Sequence, residues 1–160
     1  MKTDLEAPTS AGHDAAAALP TIVDTLQQRA AQEPARVVYT FLQEGERPTV
    51  TLTCHQLDAS ARAIAAHLRR TLPAGARVLL LYPAGLEFIS AFFGCLYAGV
   101  IAVPAPLLGT LTLKNSLARL QSIVDDAQAS AVLTLTNIVS QIEGTAHELP
   151  ALRTIPWLAT

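Results

Sequence analysis

The side chains that could do chemistry in this 160-residue chain are few and scattered. Gly94 and Gly99 have the glycine spacing of a P-loop, in which backbone N–H groups cradle phosphates while a following Lys and Ser/Thr hold the terminal phosphate and magnesium. Val100 and Ile101 stand where that lysine and hydroxyl must be, so both glycines read as packing residues. No G-x-G-x-x-G dinucleotide fingerprint occurs. Four histidines, His13, His55, His67 and His147, are dispersed. His55 and His67 fall on one predicted helix more than three turns apart, too far to share a metal, and are expected at solvated positions. Asp125 and Asp126 are adjacent on a helix, where neighbours do not face each other, so they form no acid/base pair. Glu44 and Glu46 decorate a turn. Ser90 lies inside an apolar helix with no G-x-S-x-G elbow and no base nearby. Cys54 and Cys95 have no CxxC partner and read as reduced thiols of a cytoplasmic protein, Cys95 as a small core residue. Glu87 is the one acid in an apolar setting, and its place in the first turn of a helix favours a role at the positive helix end over catalysis. No catalytic, cofactor-binding or metal-ligating residue is therefore assigned.

The elements that would position such residues are easier to read. Thr21-Ile22-Val23-Asp24 has the form of a capping box, and Ile22, Leu26 and Ala30 recur four apart until Pro34 stops the helix. Arg36–Leu42 and Thr49–Thr53 are β-branched and aromatic runs separated by a polar turn, which predicts a β-hairpin. Thr53-Cys54-His55-Gln56 is a second capping box, followed by a stripe of Leu57, Ala61, Ile64 and Leu68 up to Pro73-Ala74-Gly75. Val78–Tyr82 has the continuous apolar character of a fully buried parallel strand. Leu86–Ala98 is helical and apolar nearly all round, closed by Gly99 as a C′ residue. Val100–Val103 reads as another buried strand, stopped by Pro104 and Pro106. Further on, Leu117, Leu120, Val124 and Ala127 mark an amphipathic helix, and Ala131–Leu135 a strand. Asn137 is expected to cap a helix running to about His147, and Ile155, Trp157 and Leu158 point to a last strand. Alternating β and α elements imply a doubly wound, mostly parallel sheet flanked by helices, with the hairpin N-terminal to it.

Composition agrees with a folded α/β domain. Apolar residues make up 51% of the chain and charged ones 15%, which excludes global disorder. Acids outnumber bases by 13 to 11, so no nucleic-acid partner is expected from bulk charge. The acidic N-terminus lacks the form of a secretory signal, and residues 1–19 read as a flexible leader. From Val78 to Leu113 the only ionisable charge is Glu87, which leaves two readings, membrane or buried core. A span needs about 20 apolar residues, whereas Gly94, Gly99, Pro104 and Pro106 divide this stretch into strand, helix and strand. Ligands of open α/β sheets bind beyond the carboxyl ends of the strands. Tyr82-Pro83-Ala84-Gly85 and Pro104–Gly109 occupy such positions, and their largely apolar side chains suggest the wall of a cleft.

Arg77–Pro106, RVLLLYPAGLEFISAFFGCLYAGVIAVPAP, closely resembles the N-terminal subdomain of fatty acyl-AMP ligases, members of the adenylate-forming superfamily. Thr21–Leu42, Ser116–Leu135 and Ile155–Thr160 look familial too. Val50–Leu68 resembles the superfamily's first core motif, usually Leu-Thr-Tyr-x-Glu-Leu. Here Cys54 replaces its aromatic residue, and Asp58, two places later, replaces its acid. After Val103-Pro104-Ala105 the common Tyr-Pro-Pro continuation is replaced by Pro106-Leu107-Leu108-Gly109. The resemblance implies that residues 20–160 are an incomplete N-terminal subdomain of the large domain of an adenylate-forming enzyme. It further implies activation of a fatty acid with ATP and Mg²⁺ to an acyl-adenylate, then transfer to an acyl carrier protein, as in polyketide or lipopeptide assembly. The family's phosphate loop, adenine and ribose motifs and catalytic lysine have no counterpart here. The chain alone is thus expected to bind no nucleotide and to be inactive. Two other classes stand beside this reading: a stand-alone non-catalytic binding or scaffolding module, and a single-span membrane protein.

Overall fold

The computed structural model describes residues 19–43, 45, 47–106, 113–143, 152 and 154–160. The leader up to residue 18, Glu44, Glu46, the loop residues 107–109 and the expected helix end near His147 lie outside the described residues.

Helix α1 (Ile22–Gln32) begins at the expected capping box. The Thr21 hydroxyl accepts from the Asp24 N–H at 3.1 Å while the Asp24 carboxylate accepts from the Thr21 N–H at 2.8 Å. Two otherwise orphaned helix donors are thereby satisfied, and Asp24 is held below its usual pKa first by the Thr21 hydroxyl, which donates to its carboxylate at 2.7 Å, and then by the Thr21 N–H. Strands β1 (Val37–Gln43) and β2 (Arg47–Thr53) pair antiparallel, turning at Gly45 in the left-handed region (φ +78°). The second strand starts at Arg47, earlier than the expected Thr49, with Pro48 opposite Leu42. An isolated two-stranded ribbon has free edges, so a residue without an N–H is tolerated there.

Helix α2 (Cys54–Thr71) opens at the second capping box, Thr53 and Gln56 exchanging bonds of 3.3 and 2.9 Å. Gln56 thus performs the reciprocal capping expected of an acid at this position. Asp58, expected as the acid of the motif, is instead turned toward the next helix. Its carboxylate accepts from the Tyr97 hydroxyl at 2.8 Å and from Arg62 Nε at 2.7 Å.

Strand β3 (Arg77–Tyr82), helix α3 (Leu86–Ala98) and strand β4 (Ile101–Pro106) form a β–α–β unit whose two strands pair in parallel. They are followed by α4 (Leu113–Ala127), β5 (Ala131–Thr134), α5 (Thr136–Glu143) and β6 (Trp157–Ala159). The four strands from β3 onward form a parallel sheet in the order β4-β3-β5-β6. Side-chain alternation along β3 sorts the core into two layers. Val78, Leu80 and Tyr82 face a cluster with Leu57, Ala61, Leu68, Ala91 and Cys95 of α2 and α3. Leu79 and Leu81 face Leu120 and Val124 of α4. Helices on both faces make the sheet doubly wound, and each fully buried leucine contributes about 1.5–3 kcal/mol.

The carboxyl end of α3 has the bonding of a Schellman motif. Gly99 N–H donates to Leu96 O at 3.1 Å and Val100 N–H to Cys95 O at 3.1 Å, with Gly99 at φ +74°. The other glycine, Gly94, is a contact residue. A Cβ there would lie 2.5 Å from Ile64 Cγ2 and 2.7 Å from Ile64 Cβ, so its bareness lets α2 and α3 approach closely.

Two strand expectations need correction. β4 does not stop at Pro104, and it is not buried: it runs through Pro106 as an edge strand with Ile101 49% exposed. The Ile101 N–H bonds Ala76 O at 2.8 Å, so donors at alternate positions face β3 and those of 102, 104 and 106 face outward. Prolines at 104 and 106 consequently break no ladder bond. Asn137 does not cap α5, which starts one residue earlier, its first amides (Ile138 and Val139) bonding the Leu135 carbonyl at 3.0 and 3.1 Å. Up to Pro106 the charge-poor stretch is divided among β3, α3 and β4, and among the described residues no helix is long and apolar enough to cross a membrane.

Candidate functional site

The carboxyl ends of β3, β5 and β6 are tied together by hydroxyl groups. Thr134, fully buried, donates through its hydroxyl to the Leu81 carbonyl. Thr160, just beyond β6, sends its N–H to Thr134 O at 2.9 Å, and its hydroxyl lies 3.0 Å from the Tyr82 hydroxyl. Burial pushes the Tyr82 hydroxyl up to about 12, against the opposing effect of its bond to Thr160. A neutral phenol at this position is a structural tie, not an acid poised near neutrality.

Beside these strand ends lies an open cleft of about 450 Å³. Helix α2 contributes Ser60, Ala63, Ile64 and His67, helix α3 contributes Glu87 and Ser90, and the strand ends contribute Leu135, Ala159 and Thr160. Its floor is apolar and its rim carries hydroxyls, one imidazole and one carboxylate. Glu87 occupies the first turn of α3, as expected. A Cβ on Gly85 would lie 2.5 Å from Glu87 Oε2, so the carboxylate folds back over the helix entrance, where the positive end of the helix favours it. Ser90 is on the same wall with no base bonded to it among the described residues.

The expected cleft walls are only partly the observed ones. Tyr82 reaches the site through its bond to Thr160, but the cleft is lined by α2 and α3 and by the ends of β5 and β6. Pro104 and Pro106 belong to the far edge strand β4. The α2 face was not anticipated. Its signal is the run Ser60, Ala63, His67 at helical spacing, flanking the core stripe with Ile64 shared between the two. His55 is exposed as expected, whereas His67 is half-buried in the cleft wall with Arg70 Nη2 at 3.4 Å from its Nδ1. Cys54 and Cys95 are free and buried, and burial pushes the Cys95 thiol up to about 12. Asp125 is engaged by Gln121 Nε2 at 2.8 Å along α4, not by Asp126.

These residues do not fit a nucleoside triphosphate with its metal. The cleft rim presents Glu87 where a phosphate would need cations or convergent N–H groups. Among the described residues no group of three or more His, Cys, Asp or Glu could hold a metal ion.

A parallel, doubly wound sheet with a preceding hairpin and helices on both faces defines a doubly wound α/β domain. Residues 26–158 match the AMP-binding enzyme family, and the chain belongs to that family. It is 46% identical over 141 residues to the medium-chain-fatty-acid–[acyl-carrier-protein] ligase JamA of Moorena producens, covering 88% of this chain and 24% of that protein. It is 38% identical over 115 residues to human Disco-interacting protein 2 homolog B, covering 71% of this chain and 7% of that one. Among solved structures, the fatty acid AMP ligase from Legionella pneumophila superimposes with a TM-score of 0.71 at 38% identity. That match covers 86% of this chain and 23% of the ligase. The chain therefore spans about a quarter of the ligases it resembles.

Proposed function

We propose that this chain is the opening part of a fatty acid–AMP ligase, whose full form activates a fatty acid with ATP and Mg²⁺ and passes it to an acyl carrier protein. The observation that carries the reading is the 46% identity to a medium-chain-fatty-acid–[acyl-carrier-protein] ligase over 88% of the chain. A Legionella pneumophila acyl-adenylate ligase of the same fold, 36% identical, is known in complex with acyl adenylate and pyrophosphate. In the reaction, a carboxylate oxygen of the fatty acid bonds to the α-phosphorus of ATP and pyrophosphate departs. The resulting mixed anhydride then donates its acyl group to the carrier thiol, releasing AMP.

Residues 20–160 act in this reading as an incomplete subdomain behind a leader of residues 1–19. They supply scaffold and no catalytic, nucleotide-binding or metal-binding residue. Loading of a polyketide or related lipid assembly line is the corresponding role. Two free, buried thiols suit a reducing cytoplasm, and neither a nucleic-acid partner nor a membrane span is part of the proposal.

A chimera tests it. This chain replaces the matching segment of JamA, and fatty-acid-dependent ATP–pyrophosphate exchange is measured on the soluble, folded product. Exchange within about tenfold of the parent, a barrier change near 1.4 kcal/mol, supports the reading. A folded chimera without exchange overturns it.

A further inference from the structure

On the opposite side of α2 from the cleft, a second cavity of about 280 Å³ opens between α1, α2 and the end of α3. Its charged lining residues are Arg62 and Arg69, joined by the amide of Gln27. Both guanidinium groups are anchored on one residue, Tyr97. Arg69 donates to the Tyr97 carbonyl, one of the orphaned acceptors at the carboxyl end of α3. Arg62 lies over the Tyr97 ring, 5.8 Å from its centroid, and its Nε donates to Asp58 at 2.7 Å. Tyr97 itself is buried and holds Asp58 with its hydroxyl at 2.8 Å. A guanidinium carries five donors, and among the described residues these contacts engage one hydrogen bond on each. Two arginines a multiple of a helical turn apart are thus held over one cavity with donors to spare and their flexibility already reduced.

We propose that this cavity is a binding site for a phosphate-type oxyanion, held between Arg62 and Arg69 with Gln27 as a neutral donor. Planar, fixed guanidinium forks match the oxygen spacing of phosphate, and charge-assisted bonds of this kind are about twice as strong as neutral ones. Asp58 is the nearby acid that opposes binding. Both its oxygens are engaged, by Tyr97 and Arg62, and it is not among the cavity's lining residues; the Arg62–Asp58 pair is close to neutral, Arg62 offers its remaining donors, and Arg69 supplies the net positive charge that faces the ligand. The volume is several times the roughly 30 Å³ of a water molecule, enough for a phosphate with part of its hydration shell. The site does not depend on the ligase reading, since it uses no residue of the cleft at the strand ends.

The test is NMR of the arginine side-chain Nε–H groups in the 160-residue chain, titrated with inorganic phosphate against chloride at constant ionic strength. Arg62 and Arg69 signals are expected to shift together and saturate with phosphate but not with chloride. Arg69→Gln is expected to weaken binding roughly tenfold, the loss of one charge-assisted contact. Arg69→Lys should recover only part of it, because a point charge lacks the fork. Arg70→Gln, on the neighbouring residue outside the cavity, should leave binding unchanged. A linear response without saturation, an equal response to chloride, or equal losses in Arg69→Gln and Arg70→Gln would overturn the site.

Discussion

Gly94→Ala tests the close approach of α2 and α3, the two helices packed against Val78, Leu80 and Tyr82. The added Cβ would meet Ile64 Cγ2 at 2.5 Å and Ile64 Cβ at 2.7 Å, with the Ala61 carbonyl at 3.5 Å. Carbon atoms prefer about 3.5–4.0 Å, so one helix must move by about 1 Å or the isoleucine must leave its place. Neither atom is the loose end of a long side chain, because Cβ is fixed to the backbone of α2. Overpacking of this kind costs about 1–3 kcal/mol, and the upper part of that range applies to so rigid a neighbour. Replacing glycine by alanine inside a helix returns about 1 kcal/mol. The expected net loss is about 1–2 kcal/mol, or about 2–8 °C in Tm for a domain of this size. Urea and thermal unfolding measure it. The double variant Gly94→Ala/Ile64→Ala should lose less than the sum of the two single changes, since removing Cγ2 relieves the shorter contact. A Gly94→Ala protein as stable as the parent, or strict additivity with Ile64→Ala, would refute the packing argument.

Three further outcomes follow from the same geometry. Gly99→Ala meets no atom within 4 Å, yet it places a Cβ at φ +74°, so it should cost about 1–2 kcal/mol by unfolding, and Gly99→Asn less. Replacing Pro104 and Pro106 by valine restores outward N–H donors on the β4 edge and should produce concentration-dependent association in sedimentation velocity; a variant that sediments like the parent would contradict the assigned donor directions. The Cys95 thiol and Tyr82 hydroxyl are both raised to about 12, mainly by burial. The folded state holds fewer charges than the unfolded chain at alkaline pH, so the stability from these groups is complete below about pH 9 and is lost as pH climbs through about 12. Urea midpoints measured across that window should fall steeply in the parent and less steeply in Cys95→Ala and Tyr82→Phe.

Local signals written in single residues were legible in the sequence. Both capping boxes, the Gly99 terminus, the continuous apolar run of β3 and the strand–helix–strand division of the charge-poor stretch each have one physical cause, and the structure has all of them. What depended on neighbours was not legible. Pro104 and Pro106 look like stop signals until the hydrogen bond from Ile101 to Ala76 shows which edge of β4 they occupy. Asp58 looks like a misplaced motif acid until α3 brings Tyr97 beside it, 39 positions away in the chain. The cleft was half-visible: the rule of strand carboxyl ends points to its neighbourhood, but the Ser60, Ala63, His67 face of α2 acquires meaning only once it lines one cleft with the ends of β5 and β6. Gly94 was readable as a packing residue because its P-loop partners are missing, but its contact with Ile64 required the fold.

The role proposed for this chain is to supply scaffold to an acyl-adenylating enzyme and none of its chemistry. Fatty-acid-dependent exchange of labelled pyrophosphate into ATP by the purified 160-residue chain, with folding verified on the same sample by circular dichroism, tests it most directly. Exchange no greater than in a blank without protein is expected. Sustained exchange that requires the fatty acid, from the folded chain alone, would contradict it.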